Sequence, residues 1–135
     1  MLSLFRTLLL ALAAATAATL TTASPLALPK ESSSIAPHSQ SCTARAPGGI
    51  GGELLKYDVR IGRVYDQNKC KAARKALRKS QELGAFSCKQ MKGPEGHMRI
   101  TFETGGFNRE GVNRALDEVF PIIAGGTGGF RCPKH

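Results

Sequence analysis

Hydrophobic and polar residues alternate with a period of two in two segments of the chain, residues 54–61 and 97–103. The apolar members are Leu55, Tyr57, Val59 and Ile61 in the first segment, and Met98, Ile100 and Phe102 in the second. Because successive side chains of a strand point to opposite faces of a sheet, this alternation predicts two β-strands with one buried face each. Their length and regularity favour central positions in a sheet.

Two further segments have the periodicity of amphipathic helices. Asp66 is the candidate N-cap of a helix over 67–83, and Gly84 is the residue expected to end it. Asn108 is the candidate N-cap of a second helix, which we expect to end near Pro121 and the glycines that follow. The predicted inner stripes are Cys70, Ala73 and Leu77 in the first helix, and Val112, Ala115, Leu116, Val119, Phe120 and Ile123 in the second.

Shorter strands are predicted over 85–91 and 128–133, with a Gly/Pro turn over 92–96. The predicted order is therefore β-α-β-β-α-β. This order is typical of an α+β fold, a two-layer α/β sandwich of the split βαβ (ferredoxin-like) type. We expect a four-stranded, mostly antiparallel sheet with two helices on one face and the other face open.

The N-terminal part of the chain predicts a secreted, extracellular protein. Residues 1–23 combine one basic residue, a short apolar stretch and small residues before the cut, as a signal peptide does. Residues 24–41 are rich in Pro and Ser without periodicity, which indicates a disordered pro-segment or linker. Residues 42–135 then form the single α/β domain, and no segment after the leader is long and apolar enough to cross a membrane.

Four cysteines, Cys42, Cys70, Cys88 and Cys132, all follow the leader. Four cysteines permit three pairings, and an even number in an exported chain indicates disulfides. In the predicted topology we expect the nested pairing, with Cys70–Cys88 joining the first helix to the second strand and Cys42–Cys132 joining the two ends of the domain. The cysteines form no CxxC pair and no histidine lies at ligand spacing, so we expect neither a metal nor a cofactor.

Charge adds a candidate binding surface. The chain has 19 Lys and Arg against 10 Asp and Glu, a net charge of +9. Within the first helix, five cations recur at helical spacing on one side: Lys71, Arg74, Lys75, Arg78 and Lys79. Such a stripe favours an anionic partner, although a solvated outer helix face gives the same pattern.

A second candidate surface is the open face of the sheet, where we expect His97, Arg99, Glu103 and Arg60 to lie together. A His/Glu/Arg set is what secreted microbial ribonucleases use to move protons around a ribose hydroxyl and hold its phosphate. The same row is also ordinary content for the solvent face of an antiparallel strand. We assign no catalytic residue, and ribonuclease-like hydrolysis is retained as an alternative.

The leader, the Pro/Ser-rich segment, the four cysteines and the segments DVRIG, CKAARKAL, GAFSC, MRITFE, GVNRALDEVF and GGFRC together resemble a known class of protein. They are similar to small cysteine-containing secreted effectors of fungi that have a killer-toxin-like α/β sandwich. The resemblance implies an extracellular protein that perturbs host or competitor cells by binding or membrane damage, without enzymatic turnover. A carbohydrate-binding or structural protein of the cell wall is the first alternative.

The expected partner is an anionic surface of a host or competitor cell, such as a membrane, a wall polymer or a receptor. Nucleic acid ranks behind these partners because the chain has no Trp and few aromatic residues for base stacking. We expect a monomer that does not insert stably into a membrane.

Overall fold

The structure, a computed structural model, describes residues 34–48, 54–105 and 108–133, so the predicted leader lies outside the described residues. The described residues form four strands and three helices. These elements are β1 (Gln40–Arg45), β2 (Leu54–Val64), α1 (Gln67–Ser80), β3 (Leu83–Gln90), β4 (His97–Gly105), α2 (Arg109–Val119) and α3 (Pro121–Thr127).

The four strands form one antiparallel sheet in the order β1-β2-β4-β3. The central strands β2 and β4 are the two segments with strict alternation, as predicted. Their apolar side chains pack into one core with the inner faces of α1 and α2, and Tyr57 stacks on Phe102 with ring centroids 5.0 Å apart. The protein is therefore an α+β sandwich with helices on one face of the sheet and the other face open.

The strand order along the chain differs from the ferredoxin-like expectation. The strand that completes the sheet comes at the start of the domain, before β2, instead of at its end. This strand is β1, which pairs with β2 from Gln40 opposite Ile61 to Arg45 opposite Lys56. The segment 128–133, predicted to be a strand, is not one. Its backbone groups find partners on α2 instead, since Asp117 accepts from the Phe130 N–H at 2.7 Å and Asn113 accepts from the Cys132 N–H at 2.9 Å.

The prediction that residues 24–41 are disordered is wrong for the second part of this segment. Residues 24–33 lie outside the described residues, but residues 34–41 are ordered against the domain and enter β1. The His38 N–H donates to the Gly62 carbonyl at 2.7 Å, and the Gly62 N–H donates to the Ser39 carbonyl at 2.8 Å. A Cβ atom at Gly62 would overlap the carbonyl oxygen of Ala36, so this crossing of two backbones requires glycine.

Both helix starts occur where the sequence predicts them. Asp66 accepts from the N–H groups of Asn68 and Lys69, at 2.8 and 3.3 Å, and Asn108 accepts from the Gly111 N–H at 2.9 Å. The ends differ. The first helix stops at Ser80, so Gly84 belongs to β3 rather than ending the helix. Pro121 ends α2 and begins α3.

The two disulfides have the predicted nested pairing. Cys70–Cys88 joins α1 to β3, and Cys42–Cys132 joins β1 to the segment that follows α3. No helix in the described ranges has the length and apolar character needed to span a bilayer.

Candidate functional site

Five cations form a stripe along the outer side of α1. These residues, called here the α1 cation stripe, are Lys71, Arg74, Lys75, Arg78 and Lys79, and all five are exposed. Their side chains line a shallow depression of about 390 Å³. The sequence predicted all five, because the buried residues of α1 fix the opposite side of the helix: Cys70, Ala73, Ala76 and Leu77.

The α1 cation stripe is not neutralised by neighbouring carboxylates. In the described ranges, none of its five members forms an ion pair. Arg78 and Lys79 lie in the last turn of α1, where cations interact favourably with the helix dipole. The dipole gives no such reason for Lys71, Arg74 or Lys75, and like charges four residues apart destabilise a helix. Arg74 also contacts the Phe86 ring, at 5.9 Å from the centroid.

Lys69, which precedes the stripe, has a different role. Its ammonium group donates to the backbone carbonyl of Val119 at 2.9 Å, at the end of α2. Carbonyls of a last helical turn lack intrahelical partners, so this bond satisfies one of them. Lys69 therefore links the two helices and does not belong to the stripe.

The open sheet face also carries five cations, called here the sheet-face cations: Arg45, Lys56, Arg60, Lys89 and Arg99. Arg60 lies opposite Arg99, and Lys56 lies opposite Glu103. Unlike the stripe, this face contains carboxylates. The Arg99 guanidinium donates to both carboxylate oxygens of Asp58, with Nε to Oδ1 at 3.0 Å, in a half-buried bidentate ion pair.

The prediction that His97 is exposed on the open face is wrong. His97 is 6% exposed, and its Nδ1 lies 2.9 Å from the Ile35 carbonyl while its Nε2 lies 2.8 Å from a Glu95 oxygen. The chain segment at Ile35, which the sequence suggested was disordered, covers it. Arg99, Glu103 and Arg60 are on the open face as predicted, and His97 follows the same alternation, but the segment at Ile35 separates its imidazole from solvent.

Sequence analysis missed a groove of about 380 Å³ at the end of β2. Its lining comes from three separate segments and one helix residue: 37–38, 62–64, 120–123 and Lys69. One signal was present in the sequence, because Ile122 falls outside the buried stripe that Val119, Phe120 and Ile123 form. An apolar residue off the inner stripe is expected to face solvent, and Ile122 is 74% exposed.

Metal chemistry has no candidate site in the described ranges, where no three His, Cys, Asp or Glu side chains come together to hold an ion. Comparison of the chain with known protein families, with curated proteins and with solved structures finds no match.

Proposed function

We propose that this protein is a secreted, non-enzymatic effector or toxin-like protein, which acts on host or competitor cells through the α1 cation stripe. The observation that carries the proposal is the stripe itself: five exposed cations on one helix side without a paired carboxylate among the described residues. A concentrated positive field of this kind attracts anionic surfaces and is strongest where no carboxylate interrupts it.

The cost of the stripe supports a binding role. Three pairs within it are four residues apart: Lys71 with Lys75, Arg74 with Arg78, and Lys75 with Lys79. Each such pair destabilises an isolated helix by about 0.2–0.5 kcal/mol. An anionic partner offsets this repulsion, whereas a purely solvated face would be more stable with mixed charges.

Export is supported by two features. Residues 1–23 have the pattern of a signal peptide, and both disulfides belong to the kind of chemistry that persists in oxidising compartments. A domain with so small a core also depends on such bridges for its stability. The resemblance to small secreted fungal effectors agrees with this interpretation.

The burial of His97 argues against the ribonuclease alternative. That reaction needs a proton-transferring imidazole beside the phosphate-holding arginine. His97 is covered by the segment at Ile35 and bonds to its carbonyl, so it does not face a substrate that Arg99 could hold.

The proposal is tested by applying the purified, leader-free protein to plant leaf tissue and to competing fungi. Membrane leakage and cell death are scored for the native protein, for a reduced and unfolded control, and for a stripe variant, Lys71→Gln/Lys75→Gln/Lys79→Gln. We expect the native protein to be active and the stripe variant to need a concentration about 100-fold higher, since each cation near an anionic surface contributes about 1 kcal/mol.

The matched control is the sheet-face variant, Arg45→Gln/Lys56→Gln/Lys89→Gln, which removes the same charge from three exposed positions on the other side of the sandwich. It should keep most of the native activity. Equal activity of the native protein and the stripe variant, or cell damage by the unfolded control, would refute the proposal.

A further inference from the structure

The groove at the end of β2 combines apolar walls with cations. Its walls are Val64 and Ile122, which are 66% and 74% exposed. Its floor includes Phe120 and Ile123, which are 1% and 3% exposed and belong to the core. We call it the Val64–Ile122 groove.

The exposure of these two walls is unusual for the molecule. Among the described residues, the exposed large hydrophobic side chains are Leu54, Val64 and Ile122. Two of the three therefore come from distant points of the chain and line a single groove. Contiguous exposed apolar surface on a small domain marks an interaction site more often than a single exposed side chain does.

Cationic and polar groups lie at the same groove. Arg63 contacts Asp66 only loosely, at 3.9 Å, so most of its guanidinium N–H groups remain available. The Lys69 ammonium uses one N–H on the Val119 carbonyl and has two others. His38 adds a ring that can donate a hydrogen bond.

We infer that the Val64–Ile122 groove docks the protein peripherally on an anionic lipid bilayer, with Val64 and Ile122 in the interfacial region and Arg63, Lys69 and His38 at lipid phosphates. The inference rests on the proposed function, because it names the anionic surface as a membrane. Interfacial binding grows with buried apolar area together with electrostatic attraction to anionic lipids, and this groove supplies both.

Other anionic partners fit the groove less well. A wall polysaccharide or a nucleic acid backbone offers charge but no alkyl surface to cover Val64 and Ile122. A bilayer interface offers phosphates and acyl chains within a few ångströms of each other. The α1 cation stripe, in contrast, presents cations alone and suits long-range electrostatic attraction.

The test uses tryptophan as a reporter, because the chain contains none. Ile122→Trp places the probe in the groove. Leu54→Trp is the matched control, since Leu54 is 50% exposed and lies at the opposite end of β2. Emission is recorded with vesicles of phosphatidylcholine alone and of equimolar phosphatidylcholine and phosphatidylglycerol, with and without brominated acyl chains.

We expect the Ile122→Trp emission to shift to the blue and to be quenched by brominated lipid only with the anionic vesicles. Leu54→Trp should show neither effect. In a co-sedimentation assay without the probe, Val64→Ser/Ile122→Ser should lower the vesicle partition coefficient about tenfold, and Leu54→Ser should lower it less than about twofold.

Three results would overturn the inference: no shift for Ile122→Trp, equal shifts for both probes, or an equal shift with monomeric short-chain phosphatidylglycerol, which would indicate a single-lipid ligand instead of a surface. An experiment on cells distinguishes a wrong assignment of the groove from a wrong proposed function. If only the groove assignment is wrong, Val64→Ser/Ile122→Ser keeps native activity on cells while the stripe variant loses it.

Discussion

The α1 cation stripe and the open sheet face have five cations each, yet they differ in what surrounds those cations. On the sheet face, Asp58 and Glu103 interrupt the positive charge, and the Arg99–Asp58 ion pair is bidentate. On the stripe, no carboxylate pairs with any of the five residues within the described ranges.

A count of cations therefore does not identify a binding surface. On the sheet face, Asp58 and Glu103 offset the repulsion between cations that lie opposite each other, such as Arg60 and Arg99. On the stripe no carboxylate within the described ranges offsets the repulsion, which leaves the helix less stable. A surface that costs stability is the better candidate for function.

Removal of a disulfide should change the free energy of unfolding most. One disulfide holds the sheet that carries the sheet-face cations, and the other holds the helix that carries the stripe. Cys42–Cys132 holds the sheet edge β1 and spans 90 residues, and Cys70–Cys88 holds α1 and spans 18. Loop entropy predicts that Cys42→Ala/Cys132→Ala lowers the free energy of unfolding by about 4–5 kcal/mol and Cys70→Ala/Cys88→Ala by about 3 kcal/mol. Urea unfolding followed by circular dichroism measures both. The reverse ranking would contradict the loop argument.

Gly62→Ala should have the next largest effect, and it should act on the sheet side alone. The new Cβ would displace the backbone at Ala36, which forces residues 34–39 away from β2. We expect a loss of about 1–3 kcal/mol in the free energy of unfolding, as for other overpacked sites. Hydrogen exchange should show lost protection at the Ser39–Gly62 pairing with α1 unchanged. Gly125→Ala, where a Cβ meets no atom within 4 Å, is the control.

The regular parts of this fold were predictable because their local patterns agree with their packing. Alternation identified β2 and β4, and the side-chain caps Asp66 and Asn108 identified the helix starts. The pairing of the cysteines followed from the order of these elements. The stripe could also be predicted, since helical spacing alone fixes which side of α1 faces away from the core.

The remaining features depend on contacts between distant segments. β1 is an edge strand in which Ala44 is the one buried side chain, so it lacks an alternating apolar pattern. The alternation along β4 predicts that His97 faces outward, but the segment at Ile35 covers its side chain. The Val64–Ile122 groove is assembled from three segments that no local pattern connects.

The two surfaces should respond to neutralisation with opposite changes in stability. Lys71→Gln/Lys75→Gln removes two like-charge pairs and leaves Lys79 at the end of α1, so it should raise the free energy of unfolding by up to about 1 kcal/mol. Asp58→Asn removes the half-exposed ion pair that offsets the like charges of Arg60 and Lys89 opposite Arg99, and should lower it by up to about 1 kcal/mol. Urea midpoints at low and high salt provide the measurement. Changes of the same sign would remove the distinction between the surfaces.

The smallest effect concerns alkaline pH. Burial raises the pKa of the Tyr57 hydroxyl, opposed in part by the nearby charge of Arg109. The unfolded chain therefore ionises first, near the ordinary pKa of about 10, so this group leaves stability unchanged below that pH and lowers it as pH rises further. Tyr57→Phe should lose less stability than the native protein between pH 9 and the alkaline limit of the assay, roughly pH 11. Identical slopes in both proteins would contradict this.

Equilibrium binding to equimolar phosphatidylcholine and phosphatidylglycerol vesicles over a range of salt concentrations tests whether the α1 cation stripe is the surface that binds an anionic partner. The native protein, the stripe variant and the sheet-face variant are compared at the same net charge change. We expect salt-sensitive binding that falls about 100-fold in the stripe variant and less than about threefold in the sheet-face variant. Equal losses in the two variants would show that net charge alone determines binding and would contradict the assignment of the site to α1.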